Sequence, residues 1–131
     1  MGEVMGEAER EALILLAYLL AQNGRPEKAE TLLAALAELF PGDGQVPRLL
    51  ADCLLKLGKY RQALEAAAGL RAAAGLGPAE KRMAELLRAQ ALWGLAKEDP
   101  SAREGLKAEL ADSLAAYLRL TAETGSAGSA P

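Results

Sequence analysis

The side chains that most often carry out catalysis are scarce in this 131-residue chain. Histidine is absent, so the commonest general base and the commonest metal ligand are missing. Without histidine, neither a Ser/His nor a Cys/His nucleophile pair can form. The single cysteine, Cys53, cannot make an internal disulfide, and we expect it to be a core residue.

Two short motifs resemble ligand-binding loops only superficially. GLGPAEK at 75–81 lacks the four-residue gap before Gly-Lys-Ser/Thr that a phosphate loop needs, and no strand is predicted before it. PGDGQ at 41–45 carries one aspartate, which is too few for a calcium loop. The glutamates at 7–11 and 27–30 lie on solvated helix faces and in early turns, where the helix dipole favours acidic residues. The sequence therefore predicts a protein that is not an enzyme and that uses no cofactor or metal.

The charge and the hydrophobic pattern limit the choice of partner. A formal net charge of −3, with basic residues spread singly, argues against nucleic acid or an anionic membrane as the main partner. The apolar run at 12–21 is far shorter than the ~20 residues of a membrane span. Glutamates precede this run, where a signal peptide needs positive charge. We therefore predict a cytoplasmic protein with no membrane insertion.

The composition predicts an all-α fold. Half of the chain is hydrophobic, and most of that half is alanine and leucine, which favour helices. Apolar residues spaced three and four apart, interrupted by glycine and proline, indicate six helices. The sixth opens with a Ser101–Glu104 capping box. The helices are predicted at 7–24, 26–40, 46–57, 60–74, 79–98 and from 99 onward. The predicted organisation is a flexible N-terminus at 1–6, one helical repeat domain at 7–122 and a disordered tail at 123–131.

A short phrase recurs along the chain. QNGRPEKA, with Gly24 and Ala29, is followed 34 positions later by LGKYRQAL, with Gly58 and Ala63. A helical hairpin explains the phrase, because a small residue lets two helices lie close together and glycine permits a tight reversal. One hairpin leaves an apolar face uncovered, so copies must stack to bury it. The residues assigned to this packing are Ala17, Leu20, Gly24 and Ala29, then Ala51, Leu54, Gly58 and Ala63, then Ala89 and Leu92.

These features resemble the tetratricopeptide repeat. The resemblance lies in the period, the small residue followed by leucine three positions later, the glycine, the aromatic Tyr60 and the closing Pro41. It covers about residues 11–98. Pro26 replaces the usual aromatic residue, and Gly75 stands where the second unit would carry its terminal proline. The resemblance implies a solenoid of about three hairpins, the third degenerate and closed by a long C-terminal helix.

The resemblance also implies where a partner would bind. In the family, the first helices of successive hairpins line a concave groove, which suits an amphipathic helix or an extended segment. Trp93 and Tyr18 are the expected anchors in that groove, because binding hot spots favour tryptophan and tyrosine. Alternatively, both fill gaps in the core. The groove positions carried over are Ile14, Tyr18 and Ala21, then Arg48, Asp52, Leu55 and Lys56, then Met83, Leu86, Gln90 and Trp93.

A narrower resemblance concerns residues 13–41, LILLAYLLAQNGRPEKAETLLAALAELFP. This stretch is similar to the first repeat of the tetratricopeptide chaperones of bacterial type III secretion. Those chaperones hold needle, filament, translocator or export-apparatus subunits before export. The resemblance implies a bacterial cytoplasmic chaperone that binds a helical client segment, as a homodimer or a small heterocomplex. The alternative is a general tetratricopeptide adaptor or homo-oligomeric scaffold without an export role.

Overall fold

The structure, a computed structural model, describes residues 6–42, 44–72 and 75–128, with side chains described as far as residue 123. Within these ranges the chain is helical and contains no strand, which confirms the all-α prediction. A 3₁₀ turn at Pro100–Ala102 precedes the last helix. The helices are α1 (Glu7–Gln22), α2 (Pro26–Leu39), α3 (Gln45–Lys56), α4 (Tyr60–Ala72), α5 (Pro78–Glu98) and α6 (Arg103–Gly128).

The first two hairpins reverse in the same way. Gly24 and Gly58 have φ angles of 78° and 75°, in the left-handed region that glycine adopts at no steric cost. The backbone amide of the residue after each glycine donates a hydrogen bond to the carbonyl five residues earlier in the chain. This is the 6→1 hydrogen bond of the Schellman motif. Each of these two bonds measures 2.8 Å, from Arg25 to Leu20 and from Lys59 to Leu54. The recurring glycine therefore both ends a helix and turns the chain.

The small residues assigned to the hairpin packing lie buried where the helices cross. Ala17, Ala29, Ala51 and Ala63 are completely buried, and Ala89 is 5% exposed. The first two share one core cluster on α1 and α2, where the absence of a long side chain lets the two helices approach closely. The spacing of small residues thus defines the hairpin contacts.

The helices pack in chain order. Each helix contacts the next one, and the first helices of neighbouring hairpins also touch, α1 with α3 and α3 with α5. Within the described part of the chain, α1 contacts neither α5 nor α6, so the arrangement is an open stack and not a closed bundle. This is the tetratricopeptide-like solenoid that the sequence predicts.

A buried ionic cluster fixes α6 against α5 and α4. The Glu85 carboxylate, in a residue only 6% exposed, accepts a hydrogen bond of 2.6 Å from Arg71 Nε and one of 3.1 Å from Ser113 Oγ. Arg88 donates to Ser113 Oγ and, at 3.2 Å, to the Glu109 carboxylate. Because a buried charge is costly unless it is paired, this cluster favours one position of α6 along α5.

The start of α6 differs from the sequence prediction. The Asp99 carboxylate accepts hydrogen bonds from the amide and the hydroxyl of Ser101, at 3.2 and 2.5 Å, so Asp99 is the capping residue. The predicted Ser101–Glu104 capping box is wrong, since Ser101 lies inside the 3₁₀ turn. Pro100 explains the difference, because its fixed φ is suited to the first position after a cap.

The end of α6 also differs from the prediction. The helix continues to Gly128, so residues 123–128 of the predicted tail are helical. Once a helix is nucleated, each residue added to its end gains a backbone hydrogen bond. The glycine- and serine-rich composition of this segment therefore does not determine the residue at which α6 ends. The rest of the predicted tail, 129–131, and residues 1–5 of the predicted flexible N-terminus lie outside the described residues.

Candidate partner-binding site

Two hollows lie beside the first helices of the three hairpins, and the second is also lined by Leu70 of α4 and by the loops before α3 and α5. The α1–α3 hollow has a volume of about 400 Å³, and the α3–α5 hollow has a volume of about 630 Å³. Both are lined by Gln45 and Arg48, so they lie side by side on α3. Together they give an elongated depression that runs from α1 to α5.

Four of the predicted groove residues line this depression. Ile14, Tyr18 and Arg48 line the α1–α3 hollow, and Arg48 and Met83 line the α3–α5 hollow. Ile14 is 4% exposed and forms part of the floor, whereas Tyr18 is 46% exposed. The ring of Tyr18 is therefore a surface group and does not fill a gap in the core.

Seven of the predicted residues, Trp93 among them, lie outside both hollows. Ala21 and Leu55 are partly buried and pack against core clusters. Asp52 and Lys56 form an ion pair of 3.3 Å on α3, one helical turn apart. On α5, Leu86 is half-buried and Gln90 is exposed, and neither lines a hollow with α3.

Trp93 lies at a different place from the one the sequence predicts. Its side chain is 57% exposed, so it is not a core residue. It lines a third hollow, the α5–α6 hollow, and not the depression that contains Tyr18. The physical reason is helical rotation of about 100° per residue, which turns Trp93 about 80° away from Met83 on α5. The prediction that Trp93 and Tyr18 line one groove is not what the structure shows.

Arg48 is the one cation among the described residues that line the depression. Asp52 and Lys56 neutralise each other, whereas Arg48 forms no ion pair with any residue that the structure describes. A carboxylate lines each side, Glu11 on α1 and Glu80 on α5. Glu80 accepts a hydrogen bond of 2.9 Å from a backbone amide, which stabilises the start of α5. A half-buried guanidinium is therefore available where the two hollows meet, with a carboxylate on each side.

The sequence analysis missed several residues of the α1–α3 hollow. These residues lie three positions from a predicted one, which places them on the same face of their helix. That helical spacing was the signal that could have found them. The missed residues are Glu11, Leu15, Gln45 and Leu49.

Cys53 plays no part in this surface. It is 2% exposed and belongs to the core cluster around α1, α2 and α3, as predicted. Burial, with a smaller contribution from the nearby Asp52 carboxylate, raises the pKa of the Cys53 thiol. The thiol therefore stays protonated near neutral pH, where a reactive cysteine needs its thiolate.

Among the described residues, no helix combines the length and the apolar content that crossing a membrane would require. An open stack of helical hairpins, with a depression along its first helices, defines the class of tetratricopeptide-like repeat proteins. Residues 4–69, half of the chain, match the family described as anaphase-promoting complex, cyclosome, subunit 3. The chain belongs to this tetratricopeptide-like repeat family. No curated protein matches the chain in sequence.

The family match covers the first two hairpins and ends before α5. This limit agrees with the sequence analysis, in which the third unit is degenerate. Repeats of this class are generally non-catalytic modules for protein–protein interaction.

Proposed function

We propose that this protein is a non-catalytic module that holds a segment of a partner protein along the α1–α3 and α3–α5 hollows. The observation that carries the proposal is Arg48, a half-buried cation without an ion-pair partner among the described residues, where the two hollows meet. Apolar side chains, Ile14 and Tyr18 on one side and Met83 on the other, flank it. Such a surface is complementary to a segment that has apolar residues around a carboxylate.

The chemistry of the depression defines the binding mode. Tyr18 offers a large amphipathic surface for an apolar side chain of the partner. The Arg48 guanidinium offers a charge-assisted hydrogen bond to a carboxylate or a backbone carbonyl. An amphipathic helix that lies across the first helices makes both contacts at once. Its residues three to four positions apart lie on one face, so an apolar side chain and a carboxylate can both face the depression.

The narrower function that we propose is that of a chaperone for a small subunit of a bacterial secretion system. The resemblance of residues 13–41 to type III secretion chaperones supports it. Binding would cover apolar client surface that otherwise drives premature assembly. In coexpression, the chain is then expected to keep one insoluble needle, filament, translocator or export-apparatus subunit in solution, at a fixed ratio.

Reversing the charge of Arg48 is the direct test of the depression. The partner is one identified by copurification from the native host. We expect the Arg48→Glu variant to bind this partner at least about tenfold more weakly, because the introduced carboxylate would repel the partner carboxylate that Arg48 attracts. Calorimetric titration measures the change. The matched control is Arg25→Glu, because Arg25 is exposed in the α1–α2 turn and lines neither hollow. Equal affinities for the two variants and the wild type would remove the depression from the binding site.

A second candidate function is that of a scaffold that joins copies or subunits end to end. Two features favour it: large apolar residues are exposed at both ends of the stack, and the matching family is named for a subunit of a multi-protein complex. Exposed apolar patches mark interaction surfaces. The exposed leucines are Leu16 and Leu19 on α1, at 47% and 46%, and Leu114 and Leu118 on α6, at 44% and 65%.

Sedimentation velocity distinguishes the scaffold from the chaperone. A scaffold is expected to self-associate as its concentration rises, and Leu118→Glu is expected to shift it toward the monomer by placing a charge in the contact. Leu39→Glu is the matched control, because Leu39 is similarly exposed, at 51%, but lies on α2 and not on α1 or α6. A wild-type protein that stays monomeric throughout the concentration series contradicts the homo-oligomeric form of this function.

A further inference from the structure

The α5–α6 hollow has an apolar floor and a basic rim. Its volume is about 320 Å³. The floor is formed by four apolar residues of the two helices, and the rim carries three cations, one on α5 and two on α6. The floor residues are Trp93, Ala96, Leu106 and Leu110, and the rim residues are Lys97, Arg103 and Lys107.

Two of the three cations on the rim have no carboxylate partner in the described part of the chain. Lys107 pairs with Glu104 at 3.2 Å. The Arg103 guanidinium donates from Nε and Nη2 to the Ala96 carbonyl, each at 3.4 Å, which holds it across the start of α6. Lys97 is exposed on the last turn of α5. Lys97 and Arg103 are thus left to pair with an external anion.

The acidic residues nearby are directed elsewhere. Glu98 and Asp99 line a separate hollow, which they share with Tyr60 and Leu95. The Asp99 carboxylate is also engaged in capping the 3₁₀ turn. The rim is therefore locally basic on a chain whose formal net charge is −3. This local reversal of sign supplies charge complementarity for an acidic partner.

We propose that the α5–α6 hollow is a second docking site, for a partner peptide in which a large apolar side chain is flanked by carboxylates. The apolar side chain packs on Trp93 and between Leu106 and Leu110, where tryptophan is a favoured anchor. The flanking carboxylates accept charge-assisted hydrogen bonds from Lys97 and Arg103. The site is separate from the depression on α1, α3 and α5, so it does not depend on the proposed function.

Trp93 provides a direct readout, because it is the only tryptophan in the chain. The probe is a short synthetic peptide with a Leu-Phe pair flanked by glutamates. Titration into the wild-type protein is expected to give a saturable blue shift of Trp93 fluorescence as the indole loses water. Two matched peptides serve as controls: one has lysines in place of the glutamates, and the other has serines in place of Leu-Phe. Each control peptide is expected to bind at least about tenfold more weakly than the glutamate peptide.

Charge reversal at the rim locates the peptide. In a Lys97→Glu variant, the affinity for the glutamate peptide is expected to fall by about tenfold. Lys81→Glu on the same helix is the control, since Lys81 is exposed near the start of α5 and lines none of the three hollows. Arg48→Glu is also expected to leave this affinity unchanged, which separates this site from the proposed function. Both lysines are exposed, so folding of the two variants is expected to match the wild type in a thermal melt.

Three outcomes overturn the proposal. The first is that no blue shift occurs with the glutamate peptide. The second is that the glutamate and lysine peptides bind equally, which would leave only hydrophobic contact. The third is that dodecanoate, an anionic amphiphile without a peptide backbone, binds while the glutamate peptide does not, which would assign the hollow to a fatty acid.

Discussion

Replacing Arg88 with methionine is expected to lower the free energy of unfolding by about 2–3 kcal/mol. The Arg88 side chain is only 12% exposed, and its guanidinium donates to Ser113 Oγ while Ser113 donates to the buried Glu85 carboxylate. Methionine is similar in length but removes the guanidinium that donates to Ser113 Oγ and that pairs with the Glu109 and Asp112 carboxylates at 3.2 and 3.6 Å. The loss stays below that of a fully isolated buried charge, because Arg71 remains 2.6 Å from Glu85.

Urea denaturation followed by circular dichroism measures this effect. Lys107→Met is the matched control, because the ion pair of Lys107 with Glu104 is 65% and 84% exposed and contributes less than about 1 kcal/mol. A double variant, Glu85→Leu with Arg88→Met, sharpens the test. Since it removes one carboxylate and one guanidinium of the cluster together, it is expected to cost less than the sum of the two single variants. Strict additivity would show that the cluster does not act as a unit.

Gly94→Ala is expected to destabilise the protein by about 2 kcal/mol, although alanine is the better helix former. Gly94 is buried near the C-terminal end of α5, beneath the ring of Tyr60 on α4. An added Cβ would lie 2.6 Å from Tyr60 Cγ and still closer to two other ring carbons. These atoms lie near the base of the ring, so a small side-chain movement cannot relieve the overlap, and α4 would have to move away from α5.

The control for Gly94 is a glycine with open space around it. Gly69 lies in α4, and an added Cβ there meets nothing within 4 Å. Gly69→Ala is therefore expected to stabilise by about 0.5–1 kcal/mol, the ordinary helix-propensity gain. In a Tyr60→Ala background, Gly94→Ala is expected to lose its penalty. If both glycine variants stabilise the wild-type protein, the close approach of α4 and α5 is disproved.

The different surroundings of Gly94 and Gly69 show why packing at a glycine cannot be predicted from the sequence alone. Sequence alone treats Gly94 as a weak point in a helix that costs roughly 1 kcal/mol. The structure shows that Gly94 is the position at which Tyr60 crosses α5. The residues Gly94 and Tyr60 are 34 positions apart, so no local pattern connects them.

In the candidate site, too, some residues are placed by the local repeat spacing, and others depend on helices that are distant in sequence. Ile14, Tyr18, Arg48 and Met83 line the depression, because each lies on the first helix of a hairpin and the repeat period fixes that face. The period does not determine which neighbour lies over the later turns of α5. There α6 packs closely, so Trp93 lines a hollow with Leu106 instead of facing Tyr18.

By itself, the sequence determined the hairpin repeat. Left-handed glycines at Gly24 and Gly58, and small residues at Ala17 and Ala51, act through contacts within one hairpin or between adjacent ones, so their spacing can be read along the chain. Only the tertiary structure decided the burial of Glu85 under Ser113, the lack of an ion-pair partner for Arg48 among the described residues, and the position of Trp93. Each of these depends on the distance and angle between helices that are far apart in sequence, and those are set by the packing of all the side chains between them.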